Sequence, residues 1–122
     1  MHGLGELEAA VMDLVWARDA PVTVRDVLTD LHPVRPLAYT TVMTVFDNLY
    51  RKGWLRRERA GRAYRYTATV TREGYSAQLM RDALDDAGDP AEALLRFLGH
   101  MTPDEATALR NALDAYEREA RR

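Results

Sequence analysis

The side chains with chemistry to offer in this sequence are hydroxyls and guanidinium groups. Thr40, Thr41 and Thr44 stand close together, interleaved with Tyr39 and Met43 and followed by Asn48, Arg51 and Lys52. Hydroxyl and amide groups donate or accept hydrogen bonds at base edges in the DNA major groove, and threonine or methionine methyls meet the thymine methyl. Just downstream, positions 51–65 hold Arg51, Lys52, Arg56, Arg57, Arg59, Arg62 and Arg65 against the single acid Glu58. Cations of this kind add affinity for phosphates without reading sequence. Arg59 and Arg62 flank an expected hairpin tip, where they would touch phosphate or the minor groove. Arg56, Arg57 and Arg65 read more simply as strand-surface residues.

Catalysis finds little support. The sequence has no cysteine, which excludes disulfides, thiolate metal sites and thiol nucleophiles together. His2, His32 and His100 are scattered, none beside an acid at metal-ligand spacing. A glycine-rich phosphate loop and any Ser-His-Asp pattern are absent, and Asp85-Asp86 reads as a solvated helix surface. No enzyme, metal or cofactor is expected.

The whole chain sets the frame for these residues. Its 122 residues suffice for one modest core and an extension. A hydrophobic fraction of 47% with 30% charged residues suits a folded, soluble protein. No apolar run reaches the roughly 18 residues of a membrane span, and the first residues lack the pattern of a secretion signal. A cytoplasmic location without membrane insertion is expected. Net charge is −2, but it divides into +2 through Ala68 and −4 for the rest.

The elements that must position the threonines follow from periodicity. Leu7, Val11, Leu14 and Val15 mark one face of a helix over about 5–18, with Trp16 as a core residue near its end. Thr23-Val24-Arg25-Asp26 matches a capping box and opens a second helix with Val24, Val27, Leu28 and Leu31 inward. Pro33 and Pro36 bracket a linker. A third helix over about 38–52 buries Val42, Val45, Phe46 and Leu49, and Gly53 is its left-handed terminator. Thr40, Thr44, Asn48 and Arg51 fall on the opposite stripe, flanked by Thr41 and Asp47. Threonine is a poor helix former, so three on one helix suggest another use for them. An N-capping role for Thr40 and a packing role for Met43 remain alternatives.

Beyond Gly53 the period becomes two. The spacing predicts a strand over 54–59, a turn at Ala60-Gly61 and a returning strand over 62–67, with Tyr64 and Tyr66 on one face. Three helices and a basic hairpin predict a winged helix-turn-helix, in which the N-terminal part of the third helix enters the major groove. Past about Val70 the chain is helical again. One segment carries Tyr75, Leu79, Met80, Ala83 and Leu84. Asp89-Pro90-Ala91-Glu92 starts another with Leu94, Leu95, Phe97 and Leu98, and Thr102-Pro103-Asp104-Glu105 starts a last. There Ala106, Leu109, Leu113, Tyr116 and Ala120 alternate steps of three and four, as in a coiled-coil seam. Such short helices cannot bury these leucines alone. They either fold back on the first helices or dimerise, and dimerisation through Leu79, Ala83, Leu94, Leu95, Leu98, Leu109, Leu113 and Tyr116 is the favoured expectation.

Leu4-Gly5-Glu6-Leu7-Glu8 with Met12 and Trp16, the run Ala38-Tyr39-Thr40-Thr41-Val42-Met43-Thr44-Val45, Leu49 with Lys52-Gly53, and Gly61-Arg62-Ala63-Tyr64 with Tyr66 together carry a resemblance. On them the chain resembles the penicillinase-repressor family of bacterial winged-helix regulators. The resemblance implies a homodimeric repressor on dyad operators with TACA/TGTA-like half-sites. It implies control of β-lactamase or other cell-envelope genes, and relief through proteolysis signalled by a membrane-bound zinc-protease sensor. Three departures stand out. Asp47-Asn48 replaces a usual basic residue before Leu49; Arg96-Phe97 occupies the position matching the family's Asn-Phe cleavage bond; and the cysteine pairs of the copper-responsive branch are missing.

The expected architecture is therefore mainly α with a small β wing: a winged-helix DNA-binding domain over 1–70, then a helical dimerisation domain over 71–122. The expected function is a dimeric, sequence-specific repressor on double-stranded operator DNA. The alternative is a winged-helix module that binds protein through the same helix.

Overall fold

The computed structural model describes residues 4–122; His2 lies outside them. Elements run α1 (Glu6–Ala17), α2 (Val24–Leu31), α3 (Tyr39–Arg51), β1 (Leu55–Ala60), β2 (Ala63–Ala68), α4 (Arg72–Asp86), α5 (Pro90–Leu98) and α6 (Pro103–Ala120). This is a winged helix-turn-helix followed by three helices, mainly α with a small β wing as expected. The described residues divide into two compact units, one ending at Met80 and the other Arg81–Arg122.

In the first unit, Val11, Met12 and Val15 of α1, Val24, Val27 and Leu31 of α2, and Val42, Val45, Phe46 and Leu49 of α3 share one buried cluster. Val11 and Val15 of the expected α1 stripe are buried, Leu7 and Leu14 pack against the cluster from its edge, and Met12 joins the buried face. Met12 is fully buried while Leu7 and Leu14 are half-buried. Trp54, Leu55 and Tyr66 close the cluster from the hairpin side.

Local chemistry sets the helix ends. The backbone N–H of Asp26 donates to Thr23 Oγ1 (3.1 Å) and that of Thr23 to Asp26 Oδ2 (3.0 Å), the reciprocal box anticipated from sequence. That arrangement holds the Asp26 carboxyl below its ordinary range, first through the Thr23 backbone N–H. At the end of α3, Gly53 takes φ +86°. Its N–H donates to the Tyr50 carbonyl and the N–H of Trp54 to that of Leu49, both at 3.0 Å. This paired closure needs a left-handed residue, and it turns the chain straight into β1.

The hairpin pairs Leu55 with Ala68, Arg57 with Tyr66, Arg59 with Tyr64 and Ala60 with Ala63. The turn is therefore Gly61-Arg62, one residue later than expected. Gly61 at φ +66° supplies the first central position of a two-residue hairpin, and Arg62 belongs to the turn and not to the strand. Val22 adds a single bridge, exchanging N–H···O bonds with Tyr66 at 2.9 and 2.7 Å.

The first unit runs on into α4 because aromatic side chains hold it there. Tyr75 lies 5.6 Å from the Trp16 ring and 5.0 Å edge-on from Trp54. The Trp16 indole N–H donates to the Val70 carbonyl (2.9 Å), and the Leu4 N–H donates to the Tyr75 hydroxyl (2.9 Å). Trp16 is thus half-buried with its polar edge satisfied.

In the second unit, Asp89 caps α5 and Thr102 with Glu105 boxes the start of α6, each followed by proline in the first turn. No side chain of α5 or α6 is buried. Leu95 is 64% and Tyr116 73% exposed; Leu94, Leu98, Leu113 and Phe97 are exposed as well. Leu79 and Leu109 are half-buried, and Ala83 is exposed.

Candidate nucleic-acid interface

On α3 the core and the polar face separate cleanly. Val42, Val45, Phe46 and Leu49 are buried, while Tyr39, Thr40, Thr41, Met43, Thr44 and Arg51 are exposed. Asn48 is only half-buried and departs from the expected stripe. At about 100° per residue, each four-residue step drifts about 40°, so Asn48 has rotated from the line of Thr40 toward Val45.

The N-terminus of α3 carries no side-chain cap; Ala38 is the N-cap residue. Thr40 therefore does not cap this helix, and its hydroxyl is available to a ligand. Thr44 differs: its hydroxyl donates back to the Thr40 carbonyl at 2.9 Å. Its remaining lone pairs and methyl still face outward, so Thr44 offers an acceptor and an apolar contact. Arg25 of α2 lies 5.6 Å from the Tyr39 ring centre, bringing a cation beside the start of α3 that the sequence reading did not select.

At the far end, Lys52 Nζ donates to both carboxylate oxygens of Glu8 at 2.8 Å. Burial pushes the Glu8 carboxyl up, but the Lys52 hydrogen bond, the Gly5 N–H and the Lys52 charge outweigh it and hold the carboxyl below its ordinary value. A lysine has three N–H donors, so one remains for another acceptor. Arg51 is exposed beside it.

The wing presents Arg62 exposed in the turn and Arg59 exposed one pair back, 5.5 Å from the Tyr64 ring. Arg57 does not behave as a strand-surface residue. Its guanidinium lies 4.0 Å from the Tyr50 ring centre and 4.2 Å from that of Tyr64, with Asp47 Oδ1 3.7 Å from Nη1. The Asp47 charge is thus offset from the wing rather than left to repel a phosphate backbone. Sequence alone hid this contact because Arg57 on β1 meets Tyr50 and Asp47 of α3 and Tyr64 of β2, which only folding brings together.

A helix-turn-helix whose third helix turns its polar face outward, closed by a basic two-stranded wing, defines the winged-helix class. Within it the chain belongs to the penicillinase repressor family, whose model matches residues 4–115. That membership makes it a transcriptional repressor and not an enzyme. It is 46% identical over 117 residues to the transcriptional regulator BlaI of Mycobacterium tuberculosis H37Rv, covering 93% of this chain and 85% of that one. It is 40% identical over 63 residues to an uncharacterized 16.5 kDa protein of Latilactobacillus sakei, over 52% of this chain and 42% of the relative. In structure it is similar to the DNA-binding domain of the repressor BlaI solved in solution. The TM-score is 0.53 at 24% identity, over 59% of this chain and 87% of that domain. Among the described residues no helix is long and apolar enough to cross a membrane.

Proposed function

We propose that this chain is a dimeric, sequence-specific repressor that lays α3 in the major groove of operator DNA. The observation that carries the reading is the outward face of α3, where Tyr39, Thr40, Thr41, Met43 and Thr44 stand exposed opposite a buried apolar stripe. These residues and Asn48 read bases, while Arg51, Arg59 and Arg62 hold phosphates. Lys52 joins them through the donor left over from Glu8. The reading region is 1–70 and the dimerising region 71–122. Dimerisation uses Leu79, Ala83, Leu94, Leu95, Leu98, Leu109, Leu113 and Tyr116, and exposure of most of these side chains in the single chain supports it. A two-fold dimer presents two α3 helices one helical turn of DNA apart, which calls for a dyad operator.

Family membership supports operators of the TACA/TGTA type before β-lactamase or cell-envelope genes, a cytoplasmic location, and relief by a membrane-bound sensor metalloprotease. At the position of the family's Asn-Phe cleavage bond this chain carries Arg96-Phe97. The experiment is selection from a pool of random duplexes by the purified full chain, followed by binding of the selected and a scrambled duplex across a range of salt. A recovered dyad consensus, and an affinity falling with a log–log slope of about −0.9 per phosphate contacted, supports the reading. Recovery of no preferred sequence and a flat salt response would refute it.

A further inference from the structure

We propose that Arg57 is a positioning residue that fixes the wing against the recognition helix, so that Arg59 and Arg62 reach the backbone in register with the threonines of α3. This inference rests on the DNA-reading role proposed above. Arg57 sits on β1 between a ring of α3, Tyr50, and a ring of β2, Tyr64, at 4.0 and 4.2 Å from their centres. Asp47, one turn before Tyr50 on α3, closes the third side at 3.7 Å. One guanidinium on β1 therefore touches both α3 and β2. A two-stranded hairpin alone is marginally stable in water, and among the described residues no third strand lies beside this hairpin beyond Tyr66 toward the turn. The clamp lies at the pair of half-buried Arg57 with buried Tyr66, next to the exposed tip of the wing.

The chemistry of the clamp is specific to arginine. A planar guanidinium presents two faces to two rings and keeps an edge for a carboxylate. A lysine ammonium carries the same charge but cannot stack on both rings at once. The Asp47 carboxylate, anomalous on a DNA-facing helix, is accounted for by this contact: it orients the arginine.

The test uses the full chain and follows two readouts in Arg57→Lys, Arg57→Ala, Arg62→Ala and the Arg57→Ala/Arg62→Ala double variant. The first is amide hydrogen exchange without DNA. Arg57→Lys should speed exchange in 55–68 several-fold and leave α1 and α2 unchanged. Unchanged wing rates, or a uniform rise across the whole unit, would overturn the proposal whether or not the protein binds DNA. The second is the salt dependence of binding to the selected duplex. Arg62→Ala should lower the log–log slope by about 0.9. Both Arg57 variants should lower it by at least as much, and adding Arg62→Ala to Arg57→Ala should take away little more. A wild-type slope in Arg57→Lys, or fully additive losses in the double variant, would mean that Arg57 meets phosphate itself and is no clamp. Failure of the wild-type chain to bind any duplex would refute the DNA-reading role, with the exchange readout still deciding on the clamp.

Discussion

Lys52 at the end of α3 and Glu8 in the first turn of α1 form a two-pronged ion pair, with the ammonium 2.8 Å from each carboxylate oxygen. The pair links the end of α3 to the first turn of α1. Because the folded protein holds the Glu8 carboxyl below its ordinary value, the link contributes stability that is complete above the unfolded-chain value of about 4.3. That contribution is lost as pH falls through the lower folded value. Glu8→Gln should cost about 1 kcal/mol at pH 7 and make the loss of stability between pH 5 and pH 3 shallower. Urea denaturation at both ends of that range checks this; an identical acid limb in the variant would mean that the pair does not govern it.

The exposed threonines should separate from the wing arginines in their effect on specificity. Thr41→Ala should reduce discrimination between operator and random duplex by about 1 kcal/mol, the low end of the range for a good base contact. Arg62→Ala should weaken both duplexes alike. Thr44→Val keeps the methyl and loses a hydroxyl whose proton already serves the Thr40 carbonyl, so it should discriminate better than Thr44→Ala. Competition binding with the two duplexes measures all three. Equal losses on both duplexes for Thr41→Ala would remove it from base reading.

Leu113 is 51% exposed in the middle of α6. Leu113→Asp should produce monomers in sedimentation and abolish tight binding to a dyad operator while leaving one half-site weakly bound. A variant that still sediments as a dimer would take Leu113 out of the subunit interface.

Tyr75 anchors the first turns of α4 through two rings and one hydrogen bond. Tyr75→Phe keeps the rings and should cost about 1 kcal/mol through the unpaired Leu4 N–H. Tyr75→Ala should cost about 3 kcal/mol, as for other large aromatic truncations in cores. Thermal or urea unfolding of the first unit distinguishes these; two equal, small losses would mean that the rings contribute nothing there.

Much of this molecule is legible in its sequence because the deciding interactions are local. The Thr23–Asp26 and Thr102–Glu105 boxes, the left-handed Gly53 and the burial of Val42, Val45, Phe46 and Leu49 each depend on residues within a turn or two. The errors have physical reasons too. Ala60-Gly61 and Gly61-Arg62 are both acceptable glycine turns, and only the pairing of Ala60 with Ala63 decides between them. The Val22 bridge involves too few residues to leave a periodicity. Asn48 lies off the line of Thr40 because a helix winds away from a straight four-residue stripe. The contacts of Lys52 with Glu8 and of Arg57 with Tyr50, Asp47 and Tyr64 join residues whose neighbourhood exists only after folding.

Trp16 and Trp54 are the two tryptophans of the chain, and both lie against the single ring of Tyr75. Intrinsic fluorescence is therefore a local gauge of the junction where the winged helix receives α4, remote in kind from the threonine face. A shift in emission when operator DNA is added would report that occupancy of the groove is felt at that junction. A silent titration alongside saturable binding would show that DNA binding leaves the surroundings of Tyr75 undisturbed.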